Sequence, residues 1–96
     1  MHPLGKYDMA EVEALVEGYD EWTFYRSRPF ILVRLADVDM SLHQLTPTYR
    51  EAVVLAGVCG LSLRDCAERI GVSKSTVHRR YRRGLEALCT AMNGGT

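Results

Sequence analysis

The stretch Leu61–Leu88, LSLRDCAERIGVSKSTVHRRYRRGLEAL, constrains this chain more than any other. It reads as two helices joined by a tight turn. Ser62 is a good N-cap for the first, and Asp65 falls in the first turn, where the helix dipole favours an acid. Leu63, Cys66, Ala67 and Ile70 recur at three- and four-residue steps and make one apolar stripe. Gly71 suits the left-handed position that ends the helix. Ser73 is a second N-cap, after which Val77, Tyr81, Gly84, Leu85 and Leu88 form a new stripe. Two helices meeting across a glycine-containing turn make the helix-turn-helix pattern.

The charges say what the second helix is for. From Ser73 to Gly84 there are five basic residues (Lys74, Arg79, Arg80, Arg82 and Arg83), one histidine (His78) and no acid. Lys74 in the first turn opposes the macrodipole, and the clustered arginines repel one another. A helix selected for stability alone avoids both. A phosphate-rich partner offsets the repulsion, and an α-helix fits the major groove of B-DNA. A solvated basic face is the plain alternative; the turn pattern favours DNA.

Ninety-six residues fit one small domain, or a compact unit with an arm. The formal net charge of zero hides an asymmetry. Residues 1–45 hold eight acids against four bases, and residues 46–96 hold eight bases against four acids. An acidic front and a basic back suit a chain that binds nucleic acid with one end and a protein, or itself, with the other. No apolar run approaches the roughly 20 residues that span a bilayer, and MHPLGKYDMAEVE has no secretory apolar core, so a cytoplasmic location without membrane contact is expected. Cys59, Cys66 and Cys89 have no CxxC spacing and no nearby histidine pair. A buried free thiol at Cys66 is expected, with no metal and no cofactor.

Ahead of this unit, Met1–Asp8 reads as a frayed end and Asp8 as the cap of a helix carrying Val12, Leu15, Val16 and Tyr19. The aromatics Tyr19, Trp22, Phe24 and Tyr25 are either core or a partner or dimer surface; Tyr19, Trp22, Tyr25 and Phe30 are the candidates for such an interface. Ser27 as N-cap with Pro29 near N1 restarts a helix, and the run from Phe30 through Leu42 predicts a helix buried on most sides. Thr46 with Pro47 opens the next helix, with Tyr49, Val53, Val54, Leu55 and Val58 on its apolar face. After Leu88 the last helix extends through Cys89 and Met92, and Asn93-Gly94-Gly95 ends it. The expected fold is all-α: a helical bundle with a C-terminal helix-turn-helix (42–96), preceded by an acidic, aromatic-rich N-terminal arm (1–41) of one or two helices.

From about Leu42 to Leu88 the sequence resembles region four of sigma factors, the promoter-recognition domain, particularly the extracytoplasmic-function type. The matching residues are Leu45-Thr46-Pro47 with Tyr49-Arg50-Glu51, then Gly60-Leu61-Ser62, then Ala67 through Gly71-Val72-Ser73. Thr76-Val77 and Arg80-Tyr81 into Leu85 and Leu88 complete the pattern. Similar modules occur in response-regulator output domains, phage regulators and some transposase or packaging subunits. The 41 residues before Leu42 are acidic and lack the basic aromatic helix of a promoter-opening domain, so the expectation is a stand-alone regulator, with a phage or mobile element as candidate source.

The resemblance implies base-edge contacts from Lys74, Ser75, Thr76, His78 and Arg79 at the start of the recognition helix, and Ser73 caps it. Arg79 and Lys74 suit guanine O6 and N7, and the Thr76 methyl suits thymine. Arg80, Arg82 and Arg83 fall further along as phosphate contacts, with Ser62 and Arg64 holding the backbone from the first helix and Tyr49 or Arg50 adding to it. Val77, Tyr81, Cys66, Ile70 and Leu85 are assigned to the core, with a phosphate contact through the Tyr81 hydroxyl as the alternative. The expected function is a sequence-specific regulator of transcription that binds double-stranded DNA. Two other readings stand beside it: an adaptor for RNA polymerase or another partner, and an accessory DNA-binding subunit of a recombination or packaging machine. A homodimer on a palindrome is a further candidate state. The chain has no carboxylate pair, no nucleophile with its base and no phosphate-cradling glycine loop, so an enzyme is not expected.

Overall fold

The computed structural model describes residues 7–22 and 28–94, with the side chains of 29 and 30 outside that description. Among the described residues the protein is all-α. Its helices are α1 (Met9–Glu17), α2 (Tyr19–Trp22), α3 (Pro29–Leu42), α4 (Pro47–Ala52), a π-helical segment (Val53–Val58) continuing α4, α5 (Leu63–Ile70) and α6 (Lys74–Met92). The long α6 is the axis of the molecule, and α1, α3, α4, α5 and the π segment all pack against it.

Local chemistry sets most of the boundaries. Asp8 and Glu11 form a reciprocal capping box at the start of α1, the Asp8 carboxylate accepting from the Glu11 N–H at 2.8 Å. Ser62 Oγ accepts from the Asp65 N–H at 3.0 Å, and Ser73 Oγ from the Thr76 N–H at 3.1 Å. Gly71 ends α5 at φ 85°, a conformation that a Cβ disfavours. The cap of α3 differs from the sequence expectation. Arg28 holds that position, and its carbonyl accepts from Ile31 and Leu32 without any side-chain cap; Ser27 lies outside the described residues.

Two cores result. The larger joins Tyr7, Val12, Leu15, Val16, Val38, Leu45, Ala52 and Val53 to Tyr81, Leu85, Leu88 and Met92 of α6. Residues on both sides of the 41/42 division therefore share one apolar interior. The smaller holds Cys66, Ala67 and Val77, with Leu55, Leu61, Leu63, Ile70 and Val72 around it. Cys66 is buried and free, and burial pushes its thiol pKa up.

Three features depart from the sequence reading. Helix α3 forms, but it is not buried on most sides. Ile31, Leu35 and Val38 face the core while Leu32, Val33 and Met40 are 52%, 58% and 67% exposed. Tyr7 is not frayed: its side chain is buried, and the Asn93 amide both accepts from its N–H and donates to its carbonyl. Arg50 is a scaffold residue, its guanidinium donating to the carbonyls of Leu42 (2.9 Å), His43 (3.2 Å) and Leu45 (2.9 Å). The Leu42 carbonyl also accepts from the Leu45 N–H at 3.2 Å, and those of His43 and Leu45 lie just beyond the end of α3. One arginine thus ties the end of that helix to the start of α4.

Candidate nucleic-acid interface

The capped turn fixes how α6 leaves α5, and the apolar stripe of α6 fixes its rotation. Val77, Tyr81, Gly84, Leu85 and Leu88 are buried. At about 100° per residue the opposite face then carries Ser75, Arg79 and Arg83, and all three are exposed, as are Lys74, His78 and Arg82. Thr76 and Arg80 are half-buried at the edge of the ridge. Its close fit to the scaffold depends on Gly84. A Cβ there would stand 2.5 Å from Val53 Cγ2 and 3.1 Å from the Tyr49 carbonyl oxygen.

Two shallow grooves flank the ridge. One runs between the starts of α5 and α6 and is lined by Leu63, Arg64, Lys74, Ser75 and His78. The other lies between the start of α4 and the middle of α6 and is lined by Thr46, Thr48, Tyr49, Arg79, Arg80 and Arg83. A helix seated in a groove of DNA has a phosphate strand on either side of it, and each flank here offers cations and hydroxyls. Arg64 lies 3.9 Å from Glu68 across an exposed i,i+4 pair, an interaction too weak to immobilise it.

Sequence reasoning grouped most of these residues but placed several side chains differently. Ser62 and Ser73 both spend their hydroxyls on caps, and Ser73 Oγ also lies 2.9 Å from Thr76 Oγ1. The Thr76 methyl and the Ser75 hydroxyl are what this turn has left for a ligand. The Tyr81 hydroxyl does not point to the ridge: it donates to Glu17 Oε2 of α1 at 2.7 Å. Burial, with that carboxylate as acceptor, raises its pKa. Arg82 turns the same way and donates to Glu13 Oε2 at 3.0 Å. Thr46 and Thr48 were not anticipated as groove residues. Thr46 is the N-cap of α4 yet makes no capping bond, and no local signal in the sequence puts it beside arginines more than thirty positions away.

The aromatic candidates divide as well. Tyr19 donates to Asp39 Oδ1 at 2.7 Å, the Trp22 indole N–H donates to the Ala14 carbonyl at 3.3 Å, and both rings pack partly on the larger core. Tyr25 and the Phe30 side chain lie outside the described residues. Among the described residues, no three His, Cys, Asp or Glu side chains are grouped to hold a metal ion, and no helix is long and apolar enough to cross a membrane.

Comparison with known proteins gives the family of the segment that carries these residues. An extracytoplasmic-function RNA polymerase sigma factor, SigE of Mycolicibacterium smegmatis, is 37% identical over 81 residues, which cover 80% of this chain and 32% of that protein. The chain thus spans about a third of the length of that relative. No solved structure gives a significant match. The family model for region 4 of sigma-70 matches residues 35–88, from the middle of α3 through the helix-turn-helix to Leu88 of α6. On that match, the chain belongs to the sigma-70 region 4 family.

Proposed function

We propose that this chain binds double-stranded DNA sequence-specifically, by seating the first three turns of α6 in the major groove, and that it acts in transcription. One observation carries the reading: the outward ridge of α6 is basic and polar throughout while the apolar residues of the same turns are buried in the scaffold. Lys74, Ser75, Thr76, His78 and Arg79 are nearest the helix start and read base edges. Arg80 and Arg83, with Thr46 and Thr48, hold the phosphate strand on one flank, and Arg64 with the start of α5 holds the other. The reading is of a binding module without catalysis of its own.

Selection from a randomised duplex pool at two salt concentrations tests it. A recovered motif whose affinity falls steeply with salt supports it. Salt-sensitive binding without a motif supports the accessory-subunit reading instead, and no binding at low salt overturns DNA recognition. Replacing Arg79 with alanine should cost about 1–3 kcal/mol on the selected site and relax one base preference. A uniform loss on all sequences would make Arg79 a phosphate contact only.

A protein partner is the second reading, and α3 favours it. Leu32, Val33, Ala36 and Met40 fall on one exposed face of that helix, opposite its core-facing side. Large apolar side chains grouped at a surface mark association sites, for RNA polymerase or for a second copy of the chain. Met40→Glu should abolish capture of polymerase, or dissociate a dimer seen by sedimentation, without altering DNA affinity per protomer.

A further inference from the structure

The matched family segment begins at residue 35, yet α1, outside it, reaches the middle of α6 with two carboxylates. Glu17 accepts from the buried Tyr81 hydroxyl at 2.7 Å, and Glu13 accepts from Arg82 Nη1 at 3.0 Å. The contact is made possible by Gly57, where a Cβ would stand 2.3 Å from Val16 Cγ1 and 3.2 Å from the Tyr81 ring. Helix α1 is therefore docked firmly, with Val12 and Val16 fully buried beneath it, and Glu13 is held in place rather than sweeping through solvent.

Arg82 lies two turns beyond Lys74 and one beyond His78, so these three form a row along one flank of α6. Lys74 and His78 line the groove shared with Arg64, and Arg82 continues their row past its end, within reach of a phosphate strand that follows that flank. A carboxylate oxygen at 3.0 Å from a guanidinium nitrogen takes the place of a phosphate oxygen in both charge and geometry. The side chains of Arg82 and Glu13 remain 46% and 38% exposed, so exchange between the two acceptors needs no unfolding.

We infer that Glu13 is a positioning residue for DNA binding: it withholds Arg82 from the phosphate backbone and so limits affinity and salt sensitivity. The inference rests on the DNA-binding reading. It gives the acidic N-terminal helix a role at the site itself, as an internal competitor of phosphate, and makes Arg82 a reserve cation.

The test measures affinity against salt for the unaltered protein, Glu13→Gln, Glu13→Ala, and the same two changes in an Arg82→Ala background. The ligand is a duplex recovered by selection, or a random-sequence duplex where no motif emerges. Either Glu13 change should tighten binding about two- to fivefold at low salt, the range set by an exposed ion pair. The slope of log K against log salt should steepen by about 0.9, the signature of one added phosphate contact. In the Arg82→Ala background neither quantity should move. Equal tightening in both backgrounds would mean general repulsion between Glu13 and DNA, and an unchanged slope would mean that Arg82 gains no phosphate; each overturns the inference. Should both Glu13 changes loosen α1, the Arg82 Nε–H resonance of the unaltered protein decides, since it should not shift when duplex is added. Binding by the unaltered protein with an indifferent Glu13 refutes this inference alone, whereas no binding at all refutes the DNA reading with it.

Discussion

The two cores of the molecule differ in what holds them. The larger is assembled from residues as far apart as Tyr7 and Met92 and is filled by leucine, valine and tyrosine. The smaller, under the α5–α6 turn, centres on Cys66, Ala67 and Val77, three modest side chains. Helix α6 passes through both, its first turns belonging to the turn unit and its last to the larger interior. The turn unit is thus lightly built and carried on a well-anchored helix. Apolar burial supplies the anchoring, while capping and turn geometry supply the aim.

Breaking the larger core should do the most damage. Leu85 is fully buried, and Leu85→Ala should cost about 2–5 kcal/mol, read as a lowered urea midpoint for the whole domain. Val77→Ala, which removes two buried methyl groups worth roughly 1.6 kcal/mol in transfer terms, should act more locally. Native-state hydrogen exchange should then show the amides of α5 opening well before those of Leu85 and Leu88. Simultaneous opening would erase the distinction between the cores.

At the seam between α1 and the scaffold, Gly57→Ala puts a methyl group inside Val16. The expected cost is about 1–3 kcal/mol, partly restored by Val16→Ala, which a denaturation double-mutant cycle measures. Ser73→Ala should cost about 1 kcal/mol of stability by removing the cap of α6. Because the cap fixes how α6 leaves the turn, DNA affinity on the proposed reading should fall along with stability.

A further effect is one of pH, confined to the alkaline range. Tyr7 donates to Asp37 and Tyr19 to Asp39, joining the N-terminal segment to α3. Burial and then the carboxylate acceptors push each phenol from 10.0 up to about 12. The folded state thus favours the protonated phenol. The stability this confers is complete below pH 10, the unfolded value, and is lost as pH rises from about 10 to about 12. Phenolate absorbance during alkaline titration should show these two tyrosines ionising late. Amides of α1 and α2 should lose exchange protection over that interval before those of α6. Tyr81, likewise raised by burial and Glu17, ionises at still higher pH.

Legibility in the sequence divides along the same line. The turn unit is governed by chemistry within four residues: Ser62 with Asp65, Gly71 with Ala67, Ser73 with Thr76. Short-range rules suffice there, and they yield helix-turn-helix, caps and apolar stripe. The contacts around the larger core join residues far apart, as Arg82 does with Glu13, Tyr81 with Glu17 and Asn93 with Tyr7. A charged or hydroxylic side chain does not announce such a partner, so Arg82 reads as a phosphate contact, and Tyr81, though assigned to the core, leaves a phosphate contact open for its hydroxyl. Helix α3 misled for a different reason. Its apolar residues occupy two opposite faces, and composition cannot separate a helix enclosed by its own chain from one with a face left open. Arg50 was grouped with the DNA contacts because a cation beside Tyr49 and ahead of a basic unit looks like its neighbours; its three carbonyl acceptors come from the end of the preceding helix.

The π-helical segment bears on how this chain tolerates changes in length. Between Val53 and Val58 the helix holds more residues per turn than an α path, with the Cys59 N–H reaching back five residues to the Val54 carbonyl at 2.8 Å. A one-residue deletion here can be taken up by tightening the turn to α geometry, with the recognition unit still joined to it. In the first half of α6 the same deletion would rotate the remainder of the helix by about 100° and carry the arginines off the outward ridge. Losses of single residues are therefore expected to be accommodated in Val53–Val58 and rejected between Lys74 and Gly84, which a scan of single-residue deletions would map directly.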